Sequence, residues 1–566
     1  FRATLPLQSR RNALEKRAAH NMNPEARVCQ NCKAPFIIEP DDFGFYEKMQ
    51  VPPPTRCPEC RLIRRLAKRN ERSFHRRICE KCNKNIISVF AEASGIHVYC
   101  QACWWSDSWD GLEYGVDYDP SRPFLTQLDE LFHRVPMMTL YGLYTTLVNS
   151  DYTNMVGWLK NCYMVTYSDY GENLVHGSFV NHSKDSVDNL MGLNLELCYE
   201  TINCNQCYRT FFSVDCESCN NVWFSKNCSG CNDCFGCVNL RNKSYHIFNQ
   251  PYSKAEYEKK LAELYPSTHE KIKEAQVASE KLWAQHPQKY LHGWRNVNST
   301  GDYLNDSKNA KDCFIGFNLE DTRYCSFATG KLTNSYDFVN FGENSSLIYE
   351  GLQIGDQVSE VKFSWWVITN CQNIEYSMFV GSSSNLFGCA GLRKHEYCIL
   401  NKQYSKDEYE KLRSQIIASM KQEGTYGEFF PIETSPFGYN ETSAQEFFPL
   451  TKEQALAKGY PWRDAEKRNY EIKDDILACE HGGSCEHACA TAFRIHSYES
   501  QFLQRMNLPM PRLCPQCRHH RRIKYRNPMK LWKRQCAKCS KDIETSYSPD
   551  RPDVVYCEQC YQQEVI

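Results

Sequence analysis

The 566-residue sequence has no apolar run near the roughly 18 residues that a membrane-spanning helix needs. Its longest, Met137 to Val148, is short and carries hydroxyl groups. There is no surplus of either charge, with 68 acidic residues against 67 basic ones. At 24% charged and 13% aromatic, the chain lacks the composition of a disordered protein or a fibre of heptads. It contains no phosphate-binding glycine loop, nucleophile elbow or metalloprotease motif. A membrane protein, a coiled-coil fibre and a simple basic nucleic-acid binder are thereby excluded. At about 150 residues per domain, the length implies three or four domains. What the sequence has in quantity is cysteine, 32 of them.

Sixteen cysteines form eight short pairs near the two ends. They are Cys29/Cys32, Cys57/Cys60, Cys79/Cys82, Cys100/Cys103, Cys485/Cys489, Cys514/Cys517, Cys536/Cys539 and Cys557/Cys560. Disulfide frameworks belong to small secreted domains, whereas recurring C-x2-C pairs indicate tetrathiolate zinc sites. Two residues between thiolates make a tight knuckle that turns both sulfurs toward one tetrahedral ion. An iron–sulfur cluster and disulfides are the alternatives. No signal-peptide apolar region precedes Cys29, so a reducing, cytoplasmic setting is expected.

The two ends are copies. Adding 457 to a residue number carries Cys57, Cys60, Cys79, Cys82, Cys100 and Cys103 onto Cys514, Cys517, Cys536, Cys539, Cys557 and Cys560. The same shift carries Phe45 to Phe502, Met49 to Met506, and Arg61, Arg64, Arg65 and Arg69 to Arg518, Arg521, Arg522 and Arg526. Cys29 falls on Glu486, so Cys485 is expected to complete a C-x3-C knuckle there, with Cys479 the alternative fourth ligand. Each end thus carries two candidate sites, about four zinc ions in all. With thiolates in every position, the metal is expected to be structural rather than catalytic.

The stretch Cys29 to Arg61, with Pro54-Thr55-Arg56-Cys57-Pro58-Glu59-Cys60-Arg61, resembles the probable zinc-ribbon domain of uncharacterised bacterial proteins. The whole layout is similar to large proteins encoded by uncultured bacteria. The resemblance implies zinc and a ribbon or treble-clef fold over about a quarter of the chain, and no activity.

Between the two sites of each module runs an arginine-rich stretch, Arg61 to Arg72 and Arg518 to Arg526. Residues 1–103 carry a surplus of nine positive charges and 511–566 a surplus of six, which leaves 104–510 at −16. Each tetrathiolate zinc site adds two negative charges, which trims those surpluses. Arg61, Arg64, Arg65, Arg69, Arg518, Arg521, Arg522 and Arg526 are therefore candidate phosphate contacts, since guanidinium forks suit phosphate oxygens. The competing reading docks the same arginines on the acidic middle or on a partner protein.

The middle carries a second repeat. Residues 203–238 divide into three twelves, NCNQCYRTFFSV, DCESCNNVWFSK and NCSGCNDCFGCV, and weaker twelves continue over 308–343. Short β-prone segments at fixed period suit a β-solenoid, with small Cys, Ser and Gly columns inside. Spacing leaves open whether twelve residues make a whole coil or half of one. A shift of 152 aligns Phe235–Lys259 with Phe387–Lys411 and keeps 15 of 25 residues. In both copies a Ser-x-x-Glu capping box predicts a helix, about 254–285 with a break at Pro266 and about 406–422.

The expected fold class is mainly β and multidomain: two tandem β-solenoid lobes with capping helices, flanked by four-cysteine zinc-ribbon modules. The segments are a tail (1–27), a double zinc-ribbon module (28–104), a connector (105–156), a first solenoid (157–252), a capping helix and linker (253–298), a second solenoid (299–404), a capping helix (405–425), an extended aromatic and proline-rich segment (426–478) and a second double module (479–566). The expected function is zinc-stabilised and non-enzymatic, namely nucleic-acid or ribonucleoprotein binding through the arginine runs. The alternative is a protein-interaction scaffold built on the solenoids. A third reading is a solenoid-borne carbohydrate-active enzyme using acid pairs such as Asp169/Glu172, Asp185/Asp188 or Asp312/Asp321, but these are also ordinary turn residues. Catalytic residues are expected to be absent. A basic surface on the zinc ends favours the first reading, and arginines buried against solenoid acids favour the second.

Overall fold

The computed structural model describes residues 23–464, 475–485 and 489–565. The chain is mainly strand, in several sheets, with a pair of cysteine groups at each end.

The N-terminal module opens with an antiparallel hairpin, Glu25–Val28 with Pro35–Ile38, and helices Pro40–Met49 and Pro58–Leu66. A second hairpin pairs His75–Ile78 with Asn85–Ser88. The C-terminal module repeats this order: hairpin Ile476–Ala478 with Ala492–Arg494, helices Ser497–Arg505 and Pro515–Ile523, and hairpin Trp532–Gln535 with Asp542–Thr545. In both copies a proline follows the cysteine at the N-cap, where its missing N–H costs nothing and its φ is already helical.

Between the modules lie two parallel ladders. From Asn154–Lys160 to Ser244–Ile247 each strand pairs in parallel with the segment twelve residues on, as in Val156↔Ser168, Leu190↔Ile202 and Val222↔Cys234. Isolated bridges such as Val187↔Tyr199 and Ile202↔Val214 keep the same register. From Met155 to Phe248 every third residue has a positive φ, and Gly230 and Gly236 take their turns in that series. Left-handed backbone disfavours Cβ-bearing residues other than Asn and Asp, so the period demands compensation at each step. Amide columns supply part of it. Asn149 donates to Asn161, Asn161 to Asn173 and Asn173 to Asp185, at 3.1, 3.2 and 2.8 Å.

The ladder interior is built of small residues. Cys198, Cys204, Cys207, Cys216, Cys219, Cys228, Cys231, Cys234 and Cys237 are all buried and unbridged. Each donates its thiol to the carbonyl two residues back, at 3.3 to 3.5 Å. These thiols act as compact apolar residues with a weak donor. None belongs to a group that could hold a metal among the described residues.

The second ladder runs from Gly301–Asn305 to Glu396–Ile399. Its register departs from the expected twelve. Gly301↔Cys313 and Ser384↔Glu396 are twelve apart, but Ser326↔Val339, Leu352↔Trp365 and Trp365↔Met378 are thirteen apart. The extra residue comes with longer strands, Ser345–Asp356 and Ser359–Thr369.

Ser253 and Ser405 cap helices Lys254–Leu264 and Lys406–Gln422, each with a reciprocal capping box to Glu256 or Glu408. Tyr257 and Tyr409 face Tyr245 and Tyr397 of the last strands at 5.8 and 5.7 Å. A further helix, His269–Ala284, follows the break at Pro266. The segment expected to be extended over 426–478 contains short helices Ser443–Phe447 and Lys452–Ala457, and it buries Phe429, Phe430, Phe437 and Tyr439. Residues 1–22 of the expected tail, and 465–474, lie outside the described residues.

Short parallel pairings brace the modules against the ladder lead-ins. Val98–Tyr99 pairs with Met137–Met138 before the first ladder, and Val555–Tyr556 pairs with Gln288–Lys289 before the second.

Candidate metal centres and the buried arginine helices

Four groups of four cysteine sulfurs converge: Cys29/Cys32/Cys57/Cys60, Cys79/Cys82/Cys100/Cys103, Cys479/Cys489/Cys514/Cys517 and Cys536/Cys539/Cys557/Cys560. In each, the first pair comes from a hairpin and the last pair from the start of a helix. Sulfur–sulfur distances of 3.7 Å for Cys32–Cys57, 3.9 Å for Cys82–Cys100, 3.9 Å for Cys489–Cys514 and 3.7 Å for Cys539–Cys557 recur. Four thiolates held about 2.3 Å from a tetrahedral zinc stand about 3.8 Å apart, so the donor set and its spacing fit that ion.

A backbone bond marks equivalent positions. The N–H of the third cysteine donates to the sulfur of the first: Cys57 to Cys29 at 3.3 Å, Cys100 to Cys79 at 3.2 Å, Cys514 to Cys479 at 3.2 Å and Cys557 to Cys536 at 3.3 Å. These bonds favour thiolate at the first position. Against burial, this bond and its neighbours in the knuckle hold Cys79 down to about 7 and Cys536 to about 6, whereas at Cys479 burial wins and raises the pKa.

The same bond corrects one expectation. Cys485 is not in the four-sulfur group; Cys479 takes that seat. Cys479 lies 450 beyond Cys29, and Cys489 lies 457 beyond Cys32, so seven extra residues separate the two thiols of this knuckle. Cys485 sits on the insertion, 3.5 Å from the Cys517 sulfur and in a smaller group with His481. His481 Nδ1 lies 3.2 Å from Cys517, where Asn31 Nδ2 donates to Cys60 at 3.3 Å in the other module.

The arginine runs form helices, and both face inward. Arg61, Arg64, Arg65, Arg69, Arg518 and Arg522 are at most 1% exposed, and Arg526 is 7% exposed. Arg521 alone is half-buried. The N-terminal helix meets the second ladder. Arg61 donates to Asp337 at 2.9 Å, Arg64 to Glu350 at 2.7 Å, and Arg65 to Glu350 at 2.5 Å and Asp337 at 3.1 Å. The C-terminal helix meets the first ladder. Arg518 pairs with Asp188, Arg521 with Glu200 at 2.7 Å, and Arg522 with Asp188 at 3.0 Å and Glu200 at 3.2 Å.

The arginines of the two cages correspond residue for residue under the 457 shift. Each uses two acids one register step apart, Asp337/Glu350 and Asp188/Glu200, and all four have the left-handed backbone of the ladder. Burial opposes ionisation of Glu350 and Glu200, but three arginines around each override it and pull both pKa values below the usual carboxylate range. Asp337 likewise overrides the burial of Arg61 and keeps it firmly charged. Arg69 is sandwiched between ladders, 4.4 Å from the Tyr167 ring and 4.6 Å from the Phe327 ring. Arg526 faces Phe447 and Tyr303 at 5.7 and 5.9 Å.

The assignment of these eight arginines to nucleic acid is corrected on this ground. Seven guanidinium groups lie inside the protein, and the eighth already pairs with Glu200. A phosphate outside has no path to the seven buried groups. The spacing of the runs could not reveal this, because the ladder acids that they meet lie 272 to 334 residues away in sequence.

Most of the acids considered for catalysis already have partners, Glu172 with Lys160 at 2.7 Å among them. Asp185 accepts from Asn173 and Tyr498, Asp188 lies in the arginine cage, and Asp321 accepts from Asn309. His176 faces Glu499 at 3.3 Å, His182 stacks on Tyr170, and His246 bonds the Ser244 carbonyl. No helix among the described residues is long and apolar enough to cross a membrane. No protein-family model, curated protein or solved structure matches this chain, so its four cysteine groups and two arginine cages stand on their own geometry.

Proposed function

We propose that this protein is a zinc-dependent, non-enzymatic scaffold in which double treble-clef modules lock two β-solenoids together, and that its partner is another protein. The parallel ladders are taken as solenoids of square coil, with four three-residue sides meeting at left-handed corners. Zinc is taken as the resident ion of the four tetrathiolate groups, in a cytoplasmic setting that keeps the ladder thiols reduced.

One observation carries this reading: both arginine helices are spent on ladder carboxylates. Phosphate recognition needs guanidinium groups at the surface, and here they act as internal clamps. A buried cage of this kind adds specificity of docking more than net stability, because desolvating each ion offsets much of the attraction. The zinc ions are then the main source of order in the small modules, on the order of 10–16 kcal/mol apparent per site.

The surface left for a partner includes a corner column of the first ladder. Trp158 and Tyr170 are 46% and 50% exposed, and Trp158, Tyr170 and His182 stack at 4.7 Å steps. Flat aromatic groups of this kind are enriched at protein interfaces.

The test is a binding titration of the metal-loaded protein with mixed-sequence duplex DNA and RNA across a salt series. The expected outcome is no saturable binding at physiological salt. Binding whose logarithm falls linearly with log salt, and which Arg521→Gln and Arg522→Gln flatten, would return the function to nucleic acid.

A further inference from the structure

The two arginine helices end in different residues at one equivalent post. Lys68 and Tyr525 are related by the 457 shift, and each lines a cavity beside its cage. Each cavity is walled by the arginine run, by a helix (Phe124–Arg134 or His269–Ala284) and by a ladder. The ladder walls correspond as well. Trp365 is the register partner of Leu352, two residues past the cage acid Glu350; Val214 is the register partner of Ile202, two past Glu200.

At the C-terminal end the junction is filled. Tyr525 spans it and bonds Gln276 and Glu280, leaving about 30 Å3. At the N-terminal end it is hollow, about 210 Å3. A cavity of about 150 Å3 already takes a benzene-sized guest. The walls are Leu128, Phe132, Trp365, Met378 and Phe430, all buried. Thr126 on the rim is exposed, and Asp129 and Thr434 are half-buried beside it, so the hollow has a mouth.

We propose that the hollow around Lys68 is a small-molecule site that takes a ring-sized apolar carbonyl compound, with the carbonyl carbon against Lys68 Nζ. The amine donates to Thr434 Oγ1 at 3.1 Å and lies 5.8 Å from the Phe430 ring centre. Lys68 is 3% exposed. Burial is the main force on its charge and pulls its pKa down to about 7. The charged groups facing it are Asp129 from the neighbouring helix and Glu433 from the segment beyond the second ladder, which raise it, and Arg64 on its own helix, which lowers it. A buried amine of this kind is a nucleophile at neutral pH. Attack forms C–N, loss of the carbonyl oxygen breaks C–O, and the oxygen leaves as water with the two amine protons. The product is an imine, with no oxidant or reductant needed.

The experiment uses the full metal-loaded chain, benzaldehyde and borohydride trapping, with peptide mass spectrometry to locate the adduct. At pH 7 Lys68 should be labelled on the order of a hundredfold faster than surface lysines, whose pKa is about 10.4. Labelling should be half-maximal near pH 7, and toluene, which fills the hollow without reacting, should slow it. Lys68→Met should remove the adduct while the zinc content stays intact. If that variant fails to fold, the wild-type pH profile and toluene competition still decide. Labelling of Lys68 no faster than that of other lysines, or unaffected by toluene, would overturn the proposal.

Discussion

The N-terminal and C-terminal modules share a frame but differ where the frame leaves room. Both hold two cysteine groups, both send an arginine helix into a ladder, and both pair a Val-Tyr strand with a ladder lead-in. The cages keep three arginines and two acids in the same contacts although the ladders differ in register, thirteen residues in one and twelve in the other. The differences lie around this shared set, where Arg64 also meets Glu428 and Arg518 also meets Glu499. One knuckle carries seven extra residues, and one junction is filled by Tyr525 while the other is hollow around Lys68. A third contrast is Asp42, which pairs with Arg323, against Glu499, which pairs with Arg518 and lies by His176. Features repeated against different backgrounds are those the assembly requires. The unrepeated ones are free to vary or to serve a separate purpose.

The largest effect is expected at the uneven knuckle. Cys479→Ser should remove one zinc and unfold the module's first hairpin, whereas Cys485→Ser should leave the metal count unchanged. Elemental analysis of both variants decides the matter. Equal losses would mean that Cys485 shares the ion.

Next in size are the cages. Arg65→Met and Arg522→Met each remove the one guanidinium that bridges both cage acids, leaving two buried carboxylates under-compensated, which should cost about 3–5 kcal/mol. The two values should agree within error if the cages are equivalent, as read from chemical denaturation. A cost at one end only would break the correspondence.

The smallest effect concerns acid. Burial opposes the charge of Glu499, but Arg518 and His176 win and hold its pKa at about 2. A depressed carboxylate contributes stability that is present above its unfolded pKa near 4.5 and lost as pH falls through 2. For Glu499 that amounts to about 3 kcal/mol. Glu499→Gln should therefore flatten the acid limb of a thermal-stability profile between pH 5 and pH 3. Asp42 has the opposite sign: burial outweighs Arg323 and raises its pKa. Asp42→Asn should leave the acid limb in place.

Much of this was legible beforehand where the signal was local. Paired cysteines announce knuckles because two intervening residues suffice to aim two sulfurs at one ion. Ser253 and Ser405 announce helices because a capping box is complete within four residues. The twelve-residue ladder showed in the cysteines of 204–237 because each register step of twelve brings the same residue type alongside its predecessor. What stayed hidden was non-local. Cys479 ranked only as the alternative to Cys485 because a seven-residue insertion breaks the 457 shift, although adding 450 to Cys29 lands on it. The arginines' destination was obscured because Asp337 and Glu350 belong to a stretch where the period slips to thirteen. A sharper signal was present in Asp188 and Glu200, two acids twelve apart on a ladder that has little other reason to bury charge.

The crossed docking also fixes an order of birth. Asp188 is synthesised 330 residues before Arg518. At about 5–20 residues per second, that is tens of seconds on the ribosome. The N-terminal helix waits in the opposite sense, its arginines made first and their acids later. The first ladder therefore spends its early life with a carboxylate pair facing water, and the N-terminal module spends its own with unpaired cations. The first ladder's cage closes only after the C-terminal cysteine module has left the exit tunnel and folded back, whereas the N-terminal cage has both its acids once Glu350 is made. Synthesis of Arg518 to Arg522, rather than completion of the first ladder, is the event that gives Asp188 and Glu200 their partners.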